Sequence, residues 1–201
     1  MNSLDILPNE RGGAMSLSEG KINWYVLYAR TGSELRVVER LKSTLDSSQY
    51  LPFIPRKTCV FRRQGKKSVF QKNCFPGYVF IESNRSMAEF IEHVYPIIYK
   101  LKDAYRFLNY GDKSNIAMKD EERIALSKII GIDHCIDISI GLKVGDSVKV
   151  LSGVLSGNES KIVQVNKGKH EAIISIQMFG NMVPVSVGLE IIDKVPEMLL
   201  Y

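Results

Sequence analysis

Between Arg56 and Lys72 the chain reads RKTCVFRRQGKKSVFQK, seven basic residues (Arg56, Lys57, Arg62, Arg63, Lys66, Lys67 and Lys72) and no acid. The whole chain carries +5, so the rest sums to −2 and the basicity is local. Clustered Lys and Arg answer a polyanion, whereas an even spread of charge speaks only of solubility. On a two-stranded ribbon such side chains can follow phosphates, and Arg can also reach guanine edges. A regular RNA helix hides its major groove, so specific readout needs a loop, a bulge or a distorted groove. Lys57, Arg62, Arg63, Lys66, Lys67 and Lys72 are therefore candidate RNA-binding residues, led by the four nearest the presumed tip, Arg62, Arg63, Lys66 and Lys67. The plain alternative is a solvated charged face. A second basic turn, Lys167-Gly168-Lys169-His170, with Lys161 on the strand before it, adds a further group of candidates.

Other chemistry finds little support. The sequence has no Gly-x-Ser-x-Gly elbow, no Gly-rich phosphate loop and no His pair at metal spacing. Cys59, Cys74 and Cys135 are odd in number and widely spaced, which fits neither a disulfide framework nor a zinc knuckle. Asp120, Glu121 and Glu122 are adjacent carboxylates, and a helix N-terminus accounts for them. The expectation is a binding protein, with no catalytic residue, metal or cofactor. With 45% hydrophobic and 24% charged residues the composition is that of an ordinary globular chain. No apolar run approaches bilayer length, and the start lacks the layout of a secretory signal, so a cytoplasmic monomer is expected.

The elements that must position these residues follow from the pattern. Residues 1–20, rich in Gly, Ser and Asn, are set aside as a flexible tail. Ile22 to Tyr28 forms an apolar strand. A helix follows, with Thr31 and Glu34 at capping-box spacing and Leu35, Val38, Leu41 and Leu45 as its stripe. The basic segment is a hairpin with Gln64-Gly65 near its tip and Val60, Phe61, Val69 and Phe70 in its arms. Phe75 to Ile81 is a strand entered through a Pro-Gly turn. Met87, Phe90, Ile91 and Val94 mark a second helix. Short strands are expected at Ile97 to Leu101 and Tyr105 to Leu108, and a third helix from Asp120 to Gly131. Residues 132–142 lose helical period and are assigned as a linker, though an unusually apolar one that could pack on a domain. Beyond Lys143, strand-like runs at 147–151, 162–165, 172–177, 182–187 and 190–192 predict a small β-barrel. The fold class is thus α+β: an antiparallel sheet with flanking helices over 21–131, then a barrel over 143–201.

Trp24-Tyr25-Val26-Leu27, Phe75-Pro76-Gly77-Tyr78-Val79 and Asp120-Glu121-Glu122 resemble the N-terminal (NGN) domain of NusG proteins. Val144-Gly145-Asp146-Ser147-Val148-Lys149-Val150, with Gly153, Gly157 and Phe179-Gly180, resembles their SH3-like KOW domain. Both signatures occur in order, over roughly Asn23 to Val195. The resemblance implies a transcription elongation factor that docks an apolar depression of its N-terminal domain on the clamp helices of RNA polymerase. The positions matching that surface are Tyr25, Phe75, Pro76 and Tyr78, with Tyr95 at the rim; as strand residues they could equally be core, as Trp24 is expected to be. Phe179 matches the aromatic that engages Rho or a small-subunit ribosomal protein, and a packed barrel residue is its alternative.

Three departures separate the chain from the housekeeping member. Ser160 replaces a KOW glycine, and Val94-Tyr95-Pro96 replaces an Asn-Thr pair before the proline, which puts pausing activity in doubt. The FRRQGKK hairpin, the phrase VYPIIYKLKDAYRFLNYGD and the ending LEIIDKV are similar to the LoaP subfamily of specialised NusG paralogs. That similarity implies processive antitermination at long operons, with recruitment through an RNA hairpin in the nascent leader. The alternative is a general RNA-binding or ribosome-associated KOW protein that never docks on polymerase.

Overall fold

The structure, a computed structural model, describes residues 21–63, 66–112, 115–145 and 147–192. Its first half runs β1 (Asn23–Ala29), α1 (Glu34–Lys42), β2 (Tyr50–Phe53), β3 (Arg56–Arg63), β4 (Lys66–Asn73), β5 (Tyr78–Ser83), α2 (Met87–Ile98), β6 (Ala104–Phe107) and α3 (Asp120–Ile130). The second half is β7 (Cys135–Ile136), β8 (Ser139–Val144), β9 (Ser147–Ser152), β10 (Ile162–Asn166), β11 (Glu171–Met178) and β12 (Asn181–Ile192). The fold class is α+β, as expected.

An antiparallel sheet in the order β2-β5-β1-β6 organises the first half. Alternation along β1 divides its side chains between two cores. Tyr25, Leu27 and Ala29 pack with α1 and α2, and the Tyr25 ring stacks on Phe90 at 3.5 Å between centroids. Trp24 and Val26 point to the other side, where Leu126, Ile129 and Ile130 of α3 meet them. Helix α2 starts on a reciprocal capping box between Ser86 and Glu89.

Three expectations need correction in this half. Thr31 and Glu34 form no capping box; Ser33 takes the N-cap position without a side-chain bond. The Glu34 carboxylate instead accepts from the N–H groups of Gly32 at 2.8 Å and Gly77 at 2.6 Å. It thereby ties the turn before β5 to the start of α1, because two converging backbone donors satisfy a buried carboxylate that solvent cannot reach. The stripe of α1 is Val37, Val38 and Leu41, with Leu35 exposed. Ile97 and Ile98 continue α2 past Pro96 instead of opening a strand.

The linker expected at 132–142 is largely strand. β7 pairs in parallel with β3 at Arg56 and Lys57, and β8 pairs with both β12 and β9. Ile136 explains part of the difference: it is fully buried and held by packing, whereas Ile132 stays exposed. β8 joins the five-stranded sheet β10-β11-β12-β8-β9, while the two runs expected at 182–187 and 190–192 merge into one strand, β12. Trp24, Val26, Phe75, Phe80 and Leu126 from the first half share one continuous apolar cluster with Ile174, Met178, Phe179, Val187 and Leu189 from the second. At the seam β12 comes so near β3 that a Cβ on Gly188 would lie 2.5 Å from the Thr58 carbonyl oxygen.

Candidate functional site

The basic segment forms the expected hairpin. β3 and β4 pair from Arg56↔Asn73 to Arg63↔Lys66, and β4 is the outer strand of the three-stranded sheet β4-β3-β7. The expected tip at Gln64-Gly65 lies outside the described residues, as do the side chains of Arg62 and Arg63, whose backbones pair with Lys67 and Lys66. β4 is exposed from Lys66 to Lys72, and lysines on an open edge also discourage strand addition. The candidates are not equivalent. Lys57 is largely buried and reaches Glu171 of β11 at 3.4 Å; Lys67 reaches Glu190 of β12 at 2.6 Å. Lys66 and Lys72 are exposed, and the Lys72 ammonium stands 5.1 Å from the centre of the Phe70 ring.

The second basic group is a 3-10 turn over Lys167–Lys169, closed by the Asn166 side chain accepting from the Lys169 N–H at 3.0 Å. His170 follows in the left-handed region at φ 54°. Lys167 and Lys169 are exposed; Lys161 is half-buried in a 3-10 turn before β10, not on the strand. The Lys57–Glu171 pair places His170 one residue from the base of the basic hairpin. Two basic segments separated by about a hundred positions in sequence are thereby brought to the same region of the molecule.

The aromatic candidates divide. Tyr25 is wholly buried under Phe90, and burial raises its hydroxyl pKa. Phe75 is also buried, packed on Phe80 at 5.5 Å. Neither offers a surface here: Tyr25 points from β1 into one core, and Phe75, expected on a strand from 75 to 81, packs into the other from the turn before β5, which begins only at Tyr78. Pro76 is exposed, and Tyr78 and Tyr95 are half-buried. The exposed aromatic group contains two residues that sequence reasoning missed: Tyr28 lies directly across from Tyr78 with ring centres 5.6 Å apart, and Tyr105 stands 5.4 Å from Tyr28. Period-two alternation from Trp24 and Val26 carries the signal for Tyr28, since it puts all three on one face.

Phe179 is 5% exposed, with its ring 5.1 Å from Tyr110 of the first half. Its φ of 50° and that of Gly180, 77°, turn two successive N–H groups toward one point, the kind of backbone concavity that receives an anion. Glu122 of α3 fills it. Its Oε2 accepts from the Phe179 N–H at 2.7 Å and the Tyr110 hydroxyl at 2.7 Å, and its Oε1 accepts from the Gly180 N–H at 2.9 Å. The expectation that the helix N-terminus alone explains the three carboxylates is corrected for Glu122. Asp120 instead pairs with Lys21 at 2.9 Å, and that hydrogen bond holds its carboxyl below the usual range.

Cys59, Cys74 and Cys135 are free thiols, all pushed up in pKa by burial, Cys74 to about 12. A neutral thiol is a poor nucleophile and a poor metal ligand. Among the described residues no group of three His, Cys, Asp or Glu could hold a metal ion, and no helix is long and apolar enough to cross a membrane.

The chain is similar to known proteins. A family model described as "Transcription termination factor nusG" matches residues 22–127. The "Transcription termination/antitermination protein NusG" of Staphylococcus carnosus (strain TM300) is 24% identical over 188 residues, covering 90% of this chain and 100% of that protein. The protein of the same name from Staphylococcus aureus (strain N315) is likewise 24% identical over 188 residues with the same coverage. A solved structure described as "Domain interaction in Thermotoga maritima NusG" is similar at a TM-score of 0.48 and 21% identity, over 84% of this chain and 94% of that one.

Proposed function

The chain belongs to the NusG family of transcription termination and antitermination factors, and on that premise we propose that it is a processive antiterminator similar to the LoaP subfamily. In this reading residues 21–131 dock on the clamp helices of RNA polymerase, and basic residues bind an RNA hairpin of the nascent leader. The carrying observation is the β3–β4 ribbon, which holds seven basic residues, no acid and an outer strand exposed from Lys66 to Lys72. Lys66 and Lys72 with Arg62 and Arg63 supply the phosphate contacts, and Lys169 and Lys167 extend the path from the second half. Lys57, held by Glu171, and Lys67, held by Glu190, are weaker candidates.

Polymerase docking is assigned to Pro76 and Tyr78, joined by Tyr28 and Tyr105; Tyr95, packed on Phe107 on the α2 side, stands apart from that cluster as a secondary position. Clustered exposed aromatic side chains are the usual anchors of a protein interface. The β-rich second half, from β8 onward, acts as the KOW module. Phe179 is its contact for a small-subunit ribosomal protein or Rho, available once its contacts with Tyr110 and Glu122 open. A polymerase contact and an RNA contact on one chain raise each other's effective concentration, which favours persistence on a long operon.

The test is a pair of titrations with the full chain, against core RNA polymerase and against a leader RNA hairpin. Tyr78→Ala weakens polymerase binding and leaves hairpin affinity intact. The double change Arg62→Ala/Arg63→Ala does the converse and lowers the salt slope of hairpin binding by about one unit per lost phosphate contact. Hairpin binding with no measurable affinity for polymerase would favour the general RNA-binding reading instead.

A further inference from the structure

Phe61 and Phe70 are 53% and 38% exposed on the basic ribbon. Register sets Phe61 opposite Ser68 and Phe70 opposite Cys59, so both rings stand on one face, one on each strand. Such diagonal neighbours lie about 7 Å apart, close enough for two aromatic rings to form one surface. Ser68 is too small to cover the Phe61 ring. Lys66 and Lys72 project from the same face of β4, with Lys72 over the Phe70 ring.

Phosphate binding explains the lysines and leaves the two rings unexplained. An uncovered phenylalanine costs solvation, and a ribbon that only tracked a duplex backbone would carry polar residues there. A continuous RNA duplex offers such rings nothing, because its bases are stacked inside the helix. An unpaired base offers a π-face beside a phosphate, which matches an aromatic ring beside an ammonium. The local charge rules out an acidic-free, purely apolar partner as the natural match and favours a polyanion.

We propose that Phe61 and Phe70 form a stacking platform for unpaired RNA bases, with Lys66 and Lys72 holding the adjoining phosphates. The ligand class is a single-stranded loop or bulge. The proposal rests on the ribbon being an RNA surface and adds which part of the RNA it takes.

The experiment uses the full chain and three labelled probes, A12, U12 and the A12·U12 duplex, read by fluorescence anisotropy at fixed salt. Phe61→Ala and Phe70→Ala each weaken A12 and U12 binding about tenfold and change duplex binding less than twofold. Phe61→Leu, which keeps an apolar side chain without a ring, behaves as Phe61→Ala, and both positions are exposed enough that circular dichroism stays unchanged. Equal losses on single strands and duplex, or full retention by Phe61→Leu, would overturn the platform while leaving the ribbon as a phosphate surface. A loss of core polymerase binding with unchanged A12 affinity would overturn it in favour of a protein contact. If Lys66→Ala/Lys72→Ala leaves all three affinities unchanged, these lysines hold no phosphate and the platform falls; a wild-type chain that binds none of the three probes overturns the RNA reading as well.

Discussion

Glu122 accepts hydrogen bonds from Tyr110, twelve positions before it, and from Phe179 and Gly180, more than fifty positions after it. Removing that carboxylate leaves two N–H groups and a half-buried hydroxyl without their acceptor. Hydrogen bonds to a charged group contribute about 1.5–3 kcal/mol each and do not add fully, so Glu122→Ala is expected to cost on the order of 3 kcal/mol. Urea denaturation measures this; an unchanged midpoint would show that the contact is not stabilising. The thiols give a second prediction at this scale. Burial raises Cys59, Cys74 and Cys135, so the folded chain holds protons that the unfolded chain releases. Their contribution to stability is present below the ordinary thiol range and is lost as pH climbs through it toward about 12. Iodoacetamide at pH 8 should label native protein far more slowly than protein in urea, and equal rates would contradict the burial. Single residues were the least legible level of the sequence. Tyr25 and Tyr28 lie three positions apart on one strand, yet one is core and the other surface. Alternation puts them on opposite faces, and the cover of α2 over Tyr25 and the open end of the sheet at Tyr28 decide which is buried.

At the scale of elements, the sequence carried more. The apolar stripe of α2 and the unbroken basic run of β3 and β4 are local signals, and local signals survive without tertiary knowledge. The failures have a tertiary cause. Glu34 was drawn from its cap by the Gly77 N–H, forty-three positions away. Residues 132–142 lack a helical period because they form strands whose partners, β3 and β12, lie far off in sequence. Gly188 gives a direct test of that long-range seam. Its φ needs no glycine, but a Cβ there would meet the Thr58 carbonyl oxygen at 2.5 Å. Gly188→Ala is expected to destabilise by about 1–3 kcal/mol through overpacking. Ser86→Ala, far from the seam, should cost about 1 kcal/mol through the lost cap of α2. Thermal or urea unfolding distinguishes them when paired with limited proteolysis. Only the glycine change should expose cleavage sites between the two halves; cleavage there in Ser86→Ala alone would contradict the assignment.

On the scale of the whole molecule, one apolar cluster runs through both halves, and Lys57–Glu171, Lys67–Glu190 and the Glu122 contact cross the same seam. A shared core predicts one cooperative unfolding transition, with near- and far-ultraviolet dichroism coincident; two separated transitions would show halves that fold independently. The same seam covers Phe179 and engages two of the basic candidates, so RNA and partner access both depend on it. Composition and motif order carried the two-part plan and the family, but not the packing of one half on the other, which no local pattern encodes. The central claim, antitermination through an RNA-recruited factor, is tested most directly by single-round transcription with purified RNA polymerase. The template carries a leader hairpin selected for binding to this protein, followed by an intrinsic terminator. Read-through should rise severalfold with the wild-type chain and return to baseline with either Tyr78→Ala or Arg62→Ala/Arg63→Ala. Read-through that is the same with and without the protein, while polymerase and leader are both bound, would contradict the account.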